Sequence, residues 1–367
     1  METILRILSF ALGAYIVWVT IISAIKTFIL PRNYNVLLTR VVHQSLFALF
    51  AFPARRAATF ERRDKIMSLY APVTLFVLPF VLLICIHIGF VFMYLAIEPL
   101  SLYQAFRLSG SSLLTLGFSM QDTPGALLLE FAEAAIGMIM VALLIAYLPT
   151  MYSAFSRREM MVAKLEVRAG APPSAVEMIA RIVRARGIDY LGEMWEPWED
   201  WFTEIEESHT SFSILVFFRS PQPNRSWVSA AGTILDSAAL IESTVDIPFN
   251  VQCALTIRAG FIALRHIANF FNIPYDPAPN PDDPISISRE EFDDACAQLE
   301  AEGVPLVEDR DQAWRDFAGW RVNYDRVLLA LAALTMAPYA PWVSDRSLPR
   351  GLVKSAVNGR GRETLEV

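Results

Sequence analysis

Three long uncharged stretches stand out in the pattern of hydrophobic and polar positions. Residues 7–25, 67–97 and 134–156 contain no Asp, Glu, Lys or Arg. A helix needs about 18–20 apolar residues to cross a hydrocarbon core about 30 Å thick. Each stretch reaches that length, so the sequence predicts three transmembrane helices. The first also exceeds the ~7–15 apolar residues of a signal peptide, so we expect it to be retained.

Basic residues flank these stretches unevenly and predict an orientation. Residues 31–66 contain seven Lys or Arg against two acidic residues, whereas 98–125 contain Arg107 as the only cation. Because cytoplasmic loops carry the excess of Lys and Arg, 31–66 and the chain after Arg158 are predicted to be cytoplasmic and the N-terminus outside. Val41–Pro53 is apolar but too short to cross, which predicts an interfacial helix on the inner leaflet.

From Glu159 the pattern becomes that of a soluble helical domain. Short apolar stripes recur at helical spacing, and Ser174 and Ser288 stand where N-caps are expected. Glu291 completes a capping box with Ser288. The run Phe212–Phe218 is the one segment with strand character. The predicted helices are Ala175–Arg186, Ser226–Thr244, Asn250–Phe271, Ser288–Glu302 and Asp311–Met336.

Together these patterns predict an all-α membrane protein, multi-pass in the cell membrane, with a cytoplasmic α-helical domain. The predicted segments are a first transmembrane helix (1–30), a basic cytoplasmic segment with an interfacial helix (31–66), a two-span domain (67–158), the helical domain (159–345) and a disordered tail (346–367).

Composition supports this interpretation and excludes several function classes. The chain is 54% hydrophobic and 19% charged, more apolar and less charged than soluble domains, and its mean hydropathy is +0.39. Its three cysteines show no CxxC spacing, and no GxGxxG, Walker or HExxH motif occurs. We therefore expect no enzyme activity, no cofactor, no protein-bound metal and no nucleic-acid partner.

The informative stretch lies between the second and third predicted spans. Ser101–Leu114 is moderately apolar and leads into Thr115–Ser119, followed by a short polar turn, Met120–Gly125. A span, a half-helix, a short extended segment and a second span form the order of a re-entrant pore loop. Non-helical backbone at membrane depth is tolerated only where protein buries it or it lines a water-filled cavity.

Here the sequence resembles the potassium-channel superfamily. The filter segment Thr115-Leu116-Gly117-Phe118-Ser119 stands where that family has Thr-Val-Gly-Tyr-Gly, and Ser112 lies three residues before the filter threonine. The resemblance covers about residues 67–158. It implies a homotetramer in the lipid bilayer whose filter carbonyls, with the Thr115 hydroxyl, replace the hydration shell of potassium ions.

Three residues depart from the family pattern. Ser119 replaces the last glycine, where a positive φ is expected and a side chain is strained by about 1 kcal/mol or more. Phe118 lacks the tyrosine hydroxyl that bonds the pore helix in the family, and Met120 replaces the aspartate that commonly follows. The outer filter is therefore expected to be wider, softer or differently shaped.

The third span offers candidates for gating. Gly137 is either a hinge or a site of close helix packing, and Pro149 would kink the inner end. The stripe chosen to face the pore comprises Ile136, Met140, Leu144 and Tyr147.

Polar residues inside the spans offer candidates for support of the filter. Glu133 is expected to hydrogen-bond the back of the pore helix, at Ser109, Ser111 or Ser112. Glu130 lies one turn earlier, near the headgroups or the pore mouth. His87 is either a proton sensor or a residue packed against a neighbouring helix.

The predicted function is a tetrameric channel for monovalent cations, potassium above all, whose cytoplasmic domain supports assembly or answers an unknown regulatory ligand or protein. The alternative is a non-conducting membrane receptor or scaffold with a degenerate loop and a partner-binding helical domain. A membrane-tethered enzyme is a third interpretation, and it would require a convergent polar pocket in that domain.

Overall fold

The computed structural model describes residues 2–28 and 37–346. Met1 and residues 29–36, at the junction of the predicted first helix and basic segment, lie outside the described residues. So do residues 347–367, which hold nearly all of the predicted disordered tail. The prediction for that tail therefore stays a prediction.

Thirteen α-helices account for most of the described residues, and no strand occurs among them. The helices are α1 Glu2–Phe28, α2 Leu37–Arg56, α3 Phe60–Met67, α4 Tyr70–Ile97, α5 Leu102–Leu113, α6 Pro124–Ala169, α7 Ala175–Arg186, α8 Glu196–Ser211, α9 Trp227–Thr244, α10 Val251–Phe270, α11 Arg289–Ala301, α12 Arg310–Arg321 and α13 Asp325–Thr335. Two short 3-10 helices occupy Ile188–Gly192 and Ser213–Phe217. The all-helical prediction is confirmed.

The described residues divide into two compact units. The first unit contains α1, α4, α5, most of α2 and the first part of α6; the second contains α3, the remainder of α6 and all later helices. The boundary within α6 follows Ser153, close to the predicted end of the two-span domain at residue 158.

Four helical stretches are long and apolar enough to cross a membrane: Glu2–Phe28, Leu37–Arg56, Phe60–Ile97 and Pro124–Ala169. The sequence predicts only three spans, because the uncharged run Val41–Pro53 taken alone is shorter than a span. In the structure, arginines at both ends of that run are part of the helix, and α2 reaches 20 residues. The statement that this segment is too short to cross is therefore wrong on length.

Two helical crossings organise the first unit. α4 packs on α1 along one side and on α5 along another. Gly13 of α1 meets Gly89 of α4 so closely that a β-carbon on Gly13 would lie 2.4 Å from the Gly89 carbonyl oxygen. The Ser9 hydroxyl donates to the Phe92 carbonyl at 2.9 Å. Small residues permit such close backbone approach between apolar helices.

The second unit has one large apolar core that draws on most of its helices, with Trp195, Trp198 and Trp201 buried in it. Two local predictions were wrong there. Phe212–Phe218, predicted as a strand, forms a 3-10 helix, and Asp311–Met336, predicted as one helix, is two helices, α12 and α13.

Candidate functional site

The predicted half-helix forms α5, between α4 and α6. Ser101 caps its first turn in a capping box with Gln104. At 12 residues, α5 is about 18 Å long, which is little more than half of a ~30 Å hydrocarbon core. Its side toward α4 and α6 buries Ala105, Leu108 and Ser109. The helix therefore has the length and the amphipathic character that a re-entrant segment needs.

Two hydrogen bonds end α5 in a Schellman motif. The Leu116 amide donates to the Ser111 carbonyl at 2.8 Å, and the Thr115 amide donates to the Ser112 carbonyl at 3.0 Å. Thr115 adopts φ 54° to do so, a conformation that is an outlier for a β-branched residue. Its hydroxyl donates to the Leu114 carbonyl at 2.8 Å.

Positive φ angles fall on Thr115 and Gly117, and the expectation of a positive φ at Ser119 is wrong. Gly117 has φ 72°, with nothing within 4 Å of where its β-carbon would stand. Ser119 does not have a positive φ, so the missing glycine at that position causes no strain of this kind. The strained non-glycine residue lies instead at the start of the segment.

The segment after α5 is held by side chains behind it. The Ser119 amide donates to the Ser111 hydroxyl at 3.1 Å. The Gln121 amide donates to the Glu130 carboxylate of α6 at 2.9 Å. Glu130 is buried within the chain, and its position relative to the headgroups or the pore mouth stays a prediction. Ser111 and Glu130 thus fix two amides on either side of Met120.

Four successive carbonyl groups in this segment have no hydrogen-bond donor. No described residue donates to the carbonyl oxygens of Thr115, Leu116, Gly117 or Phe118. The residues that carry them are exposed on the surface of the single chain. Carbonyl oxygens that no protein group satisfies need another partner, such as water or a cation.

Glu133 lies at the centre of a buried polar network behind α5. Its carboxylate accepts from the Tyr94 hydroxyl of α4 at 2.9 Å and from the Ser109 hydroxyl of α5 at 2.5 Å. Ser109 also lies 2.7 Å from His87 Nδ1. Because the Ser109 hydroxyl has one proton, donation to Glu133 requires His87 Nδ1–H to donate to Ser109. Of the three serines considered, Ser109 donates to Glu133. Ser111 and Ser112 are also buried.

Gly137 supports close packing between α6 and the end of α5. A β-carbon on Gly137 would lie 2.0 Å from the Leu113 carbonyl oxygen, so only glycine fits. This contact favours the packing interpretation of Gly137 over the hinge. Pro149 lies inside the continuous α6, on its exposed side.

Two of the four residues predicted to face a pore are buried within the chain, and Ile136 is half-buried. Met140 and Tyr147 are 5% and 8% exposed, and the Tyr147 ring meets Phe28 of α1 at a centroid distance of 5.0 Å. Leu144 lies half-buried between them. The assignment is wrong for Met140 and Tyr147, because Gly137 turns their stripe toward the body of the unit. The large exposed side chains of α6 include Phe131, Met138, Ile139, Ile145 and Tyr152.

Arg107 is a residue near the segment to which the sequence analysis assigned no role. Its guanidinium lies 5.6 Å from the ring centroid of Phe118 and 5.7 Å from that of Tyr103. The available signal was its position as the only cation between residues 98 and 125.

In the second unit, the buried Arg158 anchors α6 near the point where that helix enters the unit. Arg158 donates to the Leu215 and Phe218 carbonyls at 2.8 Å each and approaches Nε2 of His209 at 3.2 Å. Burial, together with the charge of Arg158, lowers the pKa of His209 well below its usual value. Leu215 lies within the 3-10 helix and Phe218 caps its end, so Arg158 binds this turn at two carbonyls.

The second unit also has a cleft of about 280 Å³ lined by Thr233, Asp236, Glu291 and Trp342, among others. Its buried carboxylate, Asp236, is paired with Arg321. Glu291 is paired with Arg346, a residue that was assigned to the disordered tail. Among the described residues, no group of three or more His, Cys, Asp or Glu could hold a metal ion.

Comparison with protein-family profiles, with curated proteins and with solved structures found no match to this chain.

Proposed function

We propose that this chain is the subunit of a tetrameric pore-loop channel that conducts monovalent cations, with potassium as the preferred ion. The observation that carries the proposal is the row of four unpaired carbonyls at Thr115–Phe118, which follows a half-helix placed between two long apolar helices. In potassium-selective filters, rings of backbone carbonyls replace the hydration shell of a cation.

The hydrogen bonds behind the segment support the same function. A filter must hold its carbonyls at fixed spacing while ions exchange, and the Ser111 and Glu130 bonds restrain the amides that follow those carbonyls. Glu133 joins α4, α5 and α6 through buried hydrogen bonds. In the proposed orientation, the helical domain that begins near residue 159 lies in the cytoplasm.

Ion flux from purified protein in liposomes tests the proposal, with opposed potassium and sodium gradients. Gly117→Ala is the diagnostic variant, and Gly303→Ala is its matched control. Both glycines have positive φ, 72° and 81°, and open space around the missing β-carbon. The two substitutions therefore introduce the same backbone strain of about 1–2 kcal/mol, which shifts a local equilibrium by roughly five- to thirtyfold.

We expect potassium flux to exceed sodium flux in the unmodified protein, to fall about tenfold in Gly117→Ala and to persist in Gly303→Ala. Native mass in detergent should equal four chains. Equal loss of flux in both variants would remove the filter assignment. A silent protein with a non-tetrameric mass would replace the channel with the receptor or scaffold alternative.

A further inference from the structure

Arg107 is the most unusual charged residue of the first unit. It lies on the exposed side of α5, and no carboxylate pairs with it among the described residues. Its neighbours are instead two aromatic rings, Tyr103 one turn earlier on α5 and Phe118 in the segment after the helix, at 5.7 Å and 5.6 Å. Both distances are within the range of cation–π attraction.

We propose that Arg107 positions Phe118, and through its backbone the Gly117 carbonyl of the filter, and that it thereby sets potassium-over-sodium selectivity. This inference rests on the proposed channel function. The Phe118 side chain is 54% exposed and has no pocket of its own in the chain. The guanidinium is the contact from the preceding helix that orients its ring.

The backbone around Phe118 explains why ring position matters. The amide of the next residue, Ser119, donates to the Ser111 hydroxyl, whereas nothing lies within 4 Å of where a β-carbon of the preceding Gly117 would stand. Rotation at Phe118 would therefore move the carbonyls on its Gly117 side. Ser111 holds the Ser119 amide, and with it the Phe118 carbonyl of the same peptide plane. Arg107 holds the Phe118 ring, so the Gly117 carbonyl before it also has one position.

Arginine suits this role better than lysine. Its planar guanidinium stacks on aromatic faces, whereas an ammonium is a compact and strongly hydrated point charge. Tyr103 and Phe118 both contact the same guanidinium, so Tyr103 helps to hold the cation over Phe118. Phe118 has no hydroxyl group with which to hydrogen-bond α5. The contact between its ring face and the Arg107 guanidinium links it to that helix instead.

The test measures the potassium-to-sodium flux ratio in liposomes for Arg107→Gln, Arg107→Lys, Phe118→Leu and the double variant Arg107→Gln/Phe118→Leu. Arg186→Gln is the matched control, because its guanidinium lies 4.6 Å from the Tyr190 ring in the second unit. Melting of each variant with potassium and with sodium gives a second readout, since a bound ion stabilises the folded state.

We expect Arg107→Gln and Phe118→Leu each to lower the flux ratio several-fold and to reduce the extra melting temperature in potassium. The flux ratio of the double variant should be no lower than that of Phe118→Leu. The flux ratio of Arg107→Lys should lie between those of Arg107→Gln and the unmodified protein. Arg186→Gln should retain the ratio of the unmodified protein.

The inference is overturned if the unmodified protein is selective for potassium and Arg107→Gln has the same flux ratio. It is also overturned if the losses of flux ratio in Arg107→Gln and Phe118→Leu add up in the double variant. An unchanged flux ratio in Arg107→Lys would show that the positive charge alone sets selectivity, which contradicts the positioning of Phe118 by the guanidinium. In each of these cases the channel function stands. Absence of flux and of any potassium-dependent melting in the unmodified protein would instead reject both.

Discussion

Glu133 shows at the scale of one residue how a carboxylate is kept inside an apolar unit. Its side chain is fully buried, and two hydroxyl groups from different helices donate to it. A buried charge without such partners costs several kcal/mol, and one with hydrogen bonds is tolerated. The residue therefore links α4, α5 and α6 at one point.

Replacing Glu133 should destabilise the first unit. Glu133→Ala leaves the Tyr94 and Ser109 hydroxyls without their acceptor and should cost about 1–3 kcal/mol. Glu133→Gln keeps one acceptor oxygen and should cost less. Thermal melting in detergent measures both, with Glu2→Gln, an exposed ion-pair residue of α1, as the control. Equal melting temperatures of Glu133→Ala and the control would contradict the proposed stabilisation of the first unit by Glu133.

The sequence predicts residue types at this scale better than it predicts their geometry. A carboxylate inside an apolar run indicates a hydrogen-bonded role, and Glu133 has the expected kind of partner in Ser109. The φ angles could not be predicted, because the end of α5, not the family pattern, places Thr115 in the left-handed region. Met140 lies three residues after Gly137, on the same face of α6, and the packing of Gly137 against Leu113 determines that face. The sequence alone leaves a hinge at Gly137 as an equal alternative.

At the scale of helices, the contact between α5 and α6 depends on the missing side chain of Gly137. Gly137→Ala would place a β-carbon 2.0 Å from a backbone oxygen, so one helix must move. Overpacking of this kind costs about 1–3 kcal/mol. The displaced contact lies one turn from Glu133, so the hydrogen bond to Ser109 should weaken as well.

Gly110→Ala is the matched control for this prediction. Its β-carbon would lie 3.6 Å from Cε1 of His87, an ordinary contact, and alanine favours a helix over glycine. We expect a lower melting temperature in Gly137→Ala and an unchanged or higher one in Gly110→Ala. The same order should hold for potassium flux. A neutral Gly137→Ala would show that the helices can separate freely.

Helix predictions held where the signal is local. Ser288 and Glu291 form the predicted capping box, and α9 and α10 lie within one residue of their predicted ends. The break between α12 and α13, residues 322–324, contains no proline or glycine from which it could be predicted. There, Arg265 donates to the Asn323 carbonyl at 2.9 Å from a position 58 residues away in sequence. Such a tertiary contact leaves no mark in the local pattern.

At the scale of the whole molecule, the two units differ in their tryptophan content and therefore in their intrinsic fluorescence. Trp18 lies in α1, and the other seven of the eight tryptophans lie in the second unit. Intrinsic fluorescence therefore follows unfolding of the second unit almost alone. This makes the buried His209 accessible to a direct experiment.

The second unit should lose stability on mild acidification. The pKa of His209 is lowered in the fold, so the unfolded chain binds its proton first as pH falls below about 6.5. Stability is fully present above that value and should decline by up to about 1.4 kcal/mol per pH unit below it. Tryptophan-detected denaturation between about pH 7 and 5 measures the slope.

His209→Gln should flatten this slope, because it removes the titrating group. His266→Gln is the control, since His266 is half-exposed and bonded to Glu206 at 2.6 Å. An unchanged slope in His209→Gln would assign the acid sensitivity to other groups.

The close contact of Gly13 with Gly89 has a consequence for the bilayer around the proposed channel. α1 and α4 have 27 and 28 residues and are each about 40 Å long, so both must tilt to fit a core about 30 Å thick. Because their backbones touch, neither can tilt alone. A thinner or thicker membrane therefore acts on the pair as one body. His87 of α4 carries that change in angle to Ser109 of α5, and Tyr94 carries it to Glu133 of α6. Lipid thickness thereby becomes an input to the geometry of the filter.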